Sequence, residues 1–134
     1  MDLLIDTNVF LDLVLDRRKD ENAKRFFPAV EERGDRAFLT ASSATDMFYV
    51  IRKELRDIDK TYEVMGDILE LAHVLPVTEE DILVAFHAGW KDFEDCVQFM
   101  TARRNRMDRI VTRDKKDFEA SSILVISPDE YLML

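Results

Sequence analysis

Leu3-Leu4-Ile5, Ala37-Phe38-Leu39 and Ile110-Val111 are short, unbroken apolar runs separated by longer stretches whose apolar residues recur at helical spacing. That alternation is the pattern of βαβ units, in which helices cover both faces of a parallel sheet. It predicts strands at 3–5, 36–40, 109–112 and 122–127. A further short strand at Val74-Leu75-Pro76-Val77 belongs near a sheet edge, because Pro76 cannot donate to a ladder. Helices are expected on Val9, Phe10, Leu13 and Val14, over 21–32, on Ala44, Met47, Phe48, Ile51 and Leu55, and on Tyr62, Met65, Ile68, Leu69 and Ala72. Thr78 is placed to cap a helix carrying Ile82, Leu83 and Phe86 that Gly89 ends. Asp92 is placed to cap another, with Cys96, Val97, Phe99 and Met100 facing inward. The expected fold is a three-layer α/β/α sandwich on a mostly parallel sheet of about five short strands, formed as one domain over residues 1–134.

Composition removes several chemistries. The only glycines, Gly34, Gly66 and Gly89, are too far apart for a GxGxxG fingerprint or a phosphate-binding P-loop. Cys96 is the single cysteine, which excludes an internal disulfide and a cysteine-rich zinc site. A net charge of −9 argues against binding nucleic acid through overall charge, though not against a local basic groove. No apolar run approaches a membrane span, and the opening Met1-Asp2-Leu3-Leu4-Ile5-Asp6 turns acidic too early for a secretory signal. The expectation is a cytoplasmic protein with no membrane partner.

In parallel α/β folds, ligands bind at the carboxyl ends of the strands. Four acids stand at strand ends or helix starts: Asp6 after the first strand, Asp46 and Asp95 in opening helical turns, and Asp114 two residues past the strand ending at Thr112. If the sheet is parallel, these points share one rim. Carboxylates gathered there repel unless some protonate or a cation intervenes, and an all-oxygen set suits Mg²⁺ or Mn²⁺. Such a site suits phosphodiester hydrolysis. Each acid also has a plain reading as a helix cap or first-turn charge. Ser43-Ala44-Thr45-Asp46 resembles a capping box, and Asp92 with Asp95 reads as a cap and its neighbour. Caps, however, have no reason to select one rim four times.

Leu4-Ile5-Asp6-Thr7-Asn8-Val9-Phe10-Leu11, Thr40-Ala41-Ser42-Ser43 with Asp46, Asp92-Phe93-Glu94-Asp95-Cys96-Val97-Gln98, and Ile110-Val111-Thr112-Arg113-Asp114-Lys115-Lys116-Asp117-Phe118 follow one another in the order of the PIN domain. The chain resembles that family, and in particular its small VapC-like ribonuclease toxins. The resemblance implies a metal-dependent endoribonuclease with an acidic quartet, Asp6, Asp46, Asp95 and Asp114. Asp6 and Asp95 would be the principal ligands of Mg²⁺ or Mn²⁺, completed by Asp114 directly or through water, with Asp117 as a supporting acid. Asp46 stands where the family more usually carries Glu, so a shorter side chain would act directly or through a water. Thr7, Asn8 and Thr112 would orient the carboxylates or the phosphate. Homodimers are implied too, and for the toxins an antitoxin that blocks the site.

Between Arg103 and Lys116 stand seven basic residues and two acidic ones, ending in the last acidic motif. This run reads either as a phosphate-binding lip, with Arg113, Lys115 and Lys116 as RNA contacts, or as a solvated helix face. Arg17-Arg18-Lys19 is a second basic stretch, more simply a surface turn. His73 and His87 read as packing or surface residues, and Cys96 as a small core residue. Trp90, Phe93 and Tyr49 read as core or interface residues, with base stacking in a cleft as the alternative. Among rival functions, a haloacid-dehalogenase-like phosphatase needs Asp-x-Asp after the first strand and a late lysine. Here the second position is Asn8, and no lysine follows Val125. A receiver domain needs an acidic pair there and Lys-Pro after the last strand, against Ser127-Pro128 here. A PIN-like module that binds RNA or protein without cutting is the remaining alternative.

Overall fold

In the computed structural model, which describes residues 1–17 and 21–134, the first strand is β1 (Asp2–Ile5). It leads into α1 (Thr7–Val14), then α2 (Glu21–Glu32) and β2 (Arg36–Thr40). α3 (Ala41–Leu55) and α4 (Ile58–Leu71) follow, then β3 (His73–Leu75), α5 (Glu79–Ala88) and α6 (Phe93–Arg104). β4 (Arg109–Val111), a 3₁₀ turn over Lys115–Phe118, β5 (Leu124–Ile126) and α7 (Pro128–Leu132) complete the chain.

The sheet order is β3-β2-β1-β4-β5, and all four pairings are parallel. β1 lies at the centre, with Leu4 opposite Phe38 on one side and Ile110 on the other. Successive strand side chains face opposite ways, and the packing follows that alternation. Leu3 and Ile5 join Ala37, Leu39, Val111 and Ile126 in a core closed by Val9, Phe10, Phe26, Phe27, Met47, Ile51 and Ile68 of α1–α4 and by Tyr131 of α7. Leu4, Phe38, Leu75 and Ile110 face the second core, with Ala85 of α5, Cys96, Val97, Phe99 and Met100 of α6, and Phe118. The architecture is therefore the three-layer α/β/α sandwich expected, and β3 lies at the sheet edge as expected, although it spans His73–Leu75 and ends before Pro76. Among the described residues no helix is long and apolar enough to cross a membrane.

Several local expectations change. α3 starts at Ala41, with Thr40 as its cap accepting from Ser43 N, so Asp46 lies in the second turn and makes no capping box. The reason is competition: the Thr40 hydroxyl reaches the third amide of the helix first, and Ser43 is turned to a buried hydroxyl cluster instead. Tyr62 and Leu69 are exposed on α4, while Thr61, whose hydroxyl donates to Asp57 O, is buried with Met65 and Ile68. Ile82, Leu83 and Phe86, which mark α5, are also exposed. Asp81 and Ala85 face inward there, and Asp81 completes a capping box with Thr78. The last strand spans three residues instead of six. α7 was not expected at all, being a single turn announced only by Ser127, Pro128 and Glu130, a capping box with proline at its start. Arg18 and Lys19 of the second basic stretch lie outside the described residues.

Candidate active site

β1 pairs with β2 on one side and β4 on the other, so successive connections leave it in opposite directions, and the crevice at its carboxyl end is the topological switch point. Asp6 stands there. Its amide donates to Val111 O at 2.9 Å, and its carbonyl accepts from Val9 N as α1 begins. Only 3% of Asp6 is exposed. Its carboxylate accepts from Thr112 Oγ1 at 2.8 Å and from Gln98 Nε2 at 3.1 Å. The same amide nitrogen stands 3.5 Å from Asp95 Oδ1, and Asp95 is 8% exposed. One buried amide from α6 thus lies between two acids delivered by β1 and α6.

The remaining acids surround that pair. Asp114, exposed, has its amide held by Thr112 Oγ1 at 3.0 Å, and its charge bears on Asp6. Asp117, also exposed, and Asp92 bear on Asp95. Asp92 caps α6 by accepting from Asp95 N at 2.9 Å, so the capping reading of that pair holds while Asp95 itself turns to the cluster. Asp46 meets Glu94. Thr7 donates to Ser43 Oγ at 3.0 Å and stands 3.5 Å from Glu94 Oε1, linking α1 to α3 and α6. Asn8 is exposed in the first turn of α1.

Protonation follows from this crowding. Burial raises Asp6, and the Asp114 charge adds to it, against the hydrogen bonds from Thr112 and Gln98 that favour the carboxylate. Burial, followed by the charges of Asp6, Asp92 and Asp117, pushes Asp95 to about 8. Glu94 is raised to about 7 by burial, then by Asp46, Asp92 and Asp6. The largest contributions to all three shifts are burial, neighbouring acids and hydrogen bonds. Among the described residues no three histidine, cysteine or acidic side chains already stand at metal-holding spacing. The donors are nonetheless all oxygen, as hard divalent cations require.

Glu94 and Gln98 are the residues that sequence reasoning missed, and Glu94 shows why. It lies inside the quoted motif, but its neighbour Asp95 drew the assignment. A half-buried acid one place from Asp95 on a helix reads as first-turn charge until Asp46 is seen beside it.

Several side chains of the basic run already have partners. Arg113 Nε meets Asp12 Oδ2 at 2.8 Å, with Asp12 buried and Arg113 partly so. Lys115 donates to Glu130 at 2.8 Å, Arg104 is bound to Asp81 and Pro76 O, and Arg109 donates to Asp108 O. Lys116 is exposed in the 3₁₀ turn. Of the aromatic candidates, Tyr49 and Phe93 are exposed and Trp90 is half-buried; His73 and His87 pack on Phe38 and Phe86.

A PIN-domain family model matches residues 2–116, most of the chain and every acid of the cluster except Asp117. The chain belongs to the PIN-domain family. Solved structures resemble it over 81% to 95% of its length at low identity. The VapBC2 complex of Rickettsia felis bound to a DNA fragment from its promoter is 9% identical, with 95% of this chain and 98% of that one covered at a TM-score of 0.76. FitAcB from Neisseria gonorrhoeae is 20% identical over 94% of this chain and 97% of that one, at 0.70. VapC20 of Mycobacterium tuberculosis, a sarcin-ricin loop cleaving toxin, is 13% identical over 81% and 86%, at 0.64. At these identities the likeness is one of fold. No curated protein sequence matches this PIN domain.

Proposed function

We propose that this PIN domain is a metal-dependent endoribonuclease that hydrolyses RNA phosphodiester bonds at Asp6, Asp46, Asp95 and Asp114, and that it is the toxin of a toxin–antitoxin pair acting in the cytoplasm. The observation that carries the reading is Asp6, buried at the switch point and sharing the Gln98 amide with Asp95. Two buried acids kept that close, each raised by burial and by neighbouring acids, suit a divalent cation better than they suit stability.

The donor chemistry fits Mg²⁺ or Mn²⁺, with Asp6, Asp95 and Asp114 as the residues that would hold it and Asp117 in support. When bound, such an ion lowers the pKa of a water and offsets charge on the scissile phosphate. The chain's own part is orientation. Thr112 and Gln98 aim the two oxygens of Asp6 in fixed directions, and Thr112 also holds the Asp114 backbone. Thr7 positions the Glu94 carboxyl beside Asp46.

The test compares wild type with Asp6→Asn and Asp95→Asn on a pool of structured RNAs with Mg²⁺, Mn²⁺ or chelator. Cleavage should fall about a hundred- to a thousandfold in either variant, the range that removing electrostatic stabilisation costs, and should vanish on chelation. Activity that survives either change refutes the reading. One observation favours a non-catalytic PIN module instead: the acids do not already form a three-ligand cage among the described residues. The same assay decides between them, since that module cuts nothing with any metal.

The antitoxin and a second copy of the chain are the proposed protein partners. In support, the similar solved structures include a toxin–antitoxin complex from Klebsiella pneumoniae, and α5 leaves Leu83 and Phe86 at 50% and 67% exposure. Phe86→Ser should weaken self-association in sedimentation while shifting thermal stability by no more than about 0.5 kcal/mol.

A further inference from the structure

Trp90, in the loop between α5 and α6, is fixed from two sides. Its ring stacks on Phe99 of α6 at 5.2 Å and 15°, and Phe118 of the 3₁₀ turn meets it edge-on at 6.2 Å and 81°. The residue stays half-buried and borders a cleft of about 250 Å³ lined also by Lys91, Asp92, Lys116, Asp117 and Glu119. Asp92 and Asp117 are the acids whose charges bear on Asp95, so one end of the cleft adjoins the acidic rim. Lys91 and Lys116 are both exposed and form no ion pair among the described residues, whereas Arg104, Arg113 and Lys115 are all engaged.

We propose that this cleft is the subsite for the nucleotide next to the cut in single-stranded RNA, with Trp90 stacking its base and Lys91 and Lys116 holding the flanking phosphates. The inference rests on the ribonuclease reading and names where its substrate lies. Three carboxylates against two lysines make the cleft a poor trap for a free anion. An immobilised ring beside two uncommitted cations suits a ligand whose planar part supplies much of the binding. A base can reach such a ring only when unstacked, which selects single strands. The proposal keeps Lys116 among the RNA contacts and adds Lys91, whereas Arg113 meets Asp12 and Lys115 meets the exposed Glu130.

Trp90 is the only tryptophan, so its fluorescence reports on this cleft alone. In an Asp6→Asn background with Mg²⁺, a single-stranded oligouridylate should quench it saturably. Lys91→Glu with Lys116→Glu should weaken that binding at least tenfold. Loss of two phosphate contacts should also flatten the slope of log K against log salt by about 1.4. No quench, or a double variant that binds as the parent does, overturns the subsite. The two readings fail separately. If wild type cuts RNA while Trp90 is silent and the double variant keeps its KM, the subsite falls and the nuclease stands. If Trp90 is quenched and the double variant loses binding but no RNA is cut, the subsite stands and the nuclease falls.

Discussion

Asp95→Asn should stabilise the metal-free protein, and by an amount that grows with pH. Asp95 rises from its ordinary value of 3.8 to about 8 in the fold. Between those values the native chain holds a proton that the unfolded chain has lost, so native stability falls as pH rises through that window. Asparagine has the same shape, still accepts from Gln98, keeps the backbone donor to Asp92, and does not titrate. Its advantage over wild type should therefore accrue from about pH 4 to about pH 8, at up to ~1.4 kcal/mol per pH unit. Two bounds set the size. The Asp6 and Asp95 oxygens that share the Gln98 nitrogen lie within about 7 Å of each other, which at an effective dielectric of about 20 gives ~2 kcal/mol of repulsion. The full rise in pKa corresponds to ~6 kcal/mol, the upper limit. For a chain this long, 2 kcal/mol raises Tm by roughly 6–10 °C. The assay is thermal or urea unfolding of both proteins in chelator at pH 5, 6, 7 and 8. With Mg²⁺ or Mn²⁺ at pH 8 the order should reverse, because only wild type retains the acid that a cation would stabilise. A variant no more stable than wild type at pH 8 in chelator, or a difference that ignores pH, refutes the electrostatic account of this cluster.

Three other outcomes follow from the same contacts. Gln98→Leu removes the fully buried amide that donates to Asp6 and should cost about 1–3 kcal/mol in urea unfolding. Arg113→Met removes the guanidinium that meets the buried Asp12, and should cost about 1–3 kcal/mol of stability in chemical denaturation. Its affinity for RNA per folded molecule should not change, which separates a structural arginine from a phosphate contact. Titration of wild type with Mn²⁺ at pH 7 should release protons, since Asp95 and Glu94, at about 8 and about 7, must ionise to ligate or to face the ion; a calorimetric signal independent of buffer ionisation enthalpy would contradict this.

Sequence by itself determined the architecture. Apolar runs of three to five residues between helical periods leave few arrangements besides a covered parallel sheet, because each face must be buried and each crossover must return in the same direction. Asp6 and Asp114 are legible for the same reason: they end strands, and strand ends in a parallel sheet converge. The capping chemistry of Thr78, Asp92 and Gly89 could likewise be read locally, since a cap is satisfied by residues within one turn. Tertiary structure decided everything that depends on which partner a charge finds. Arg113 and Lys115 read as phosphate contacts in a basic run; only the fold shows that Asp12, about a hundred positions earlier, meets Arg113 and that Glu130 of the last helix meets Lys115. Glu94 looks like first-turn charge until α3 brings Asp46 beside it, and Gln98 carries no signal before its amide is seen between two aspartates. Spacing along the chain encodes which face a residue occupies; the strength of a charge interaction depends on distance and burial, and those exist only once distant segments have packed together.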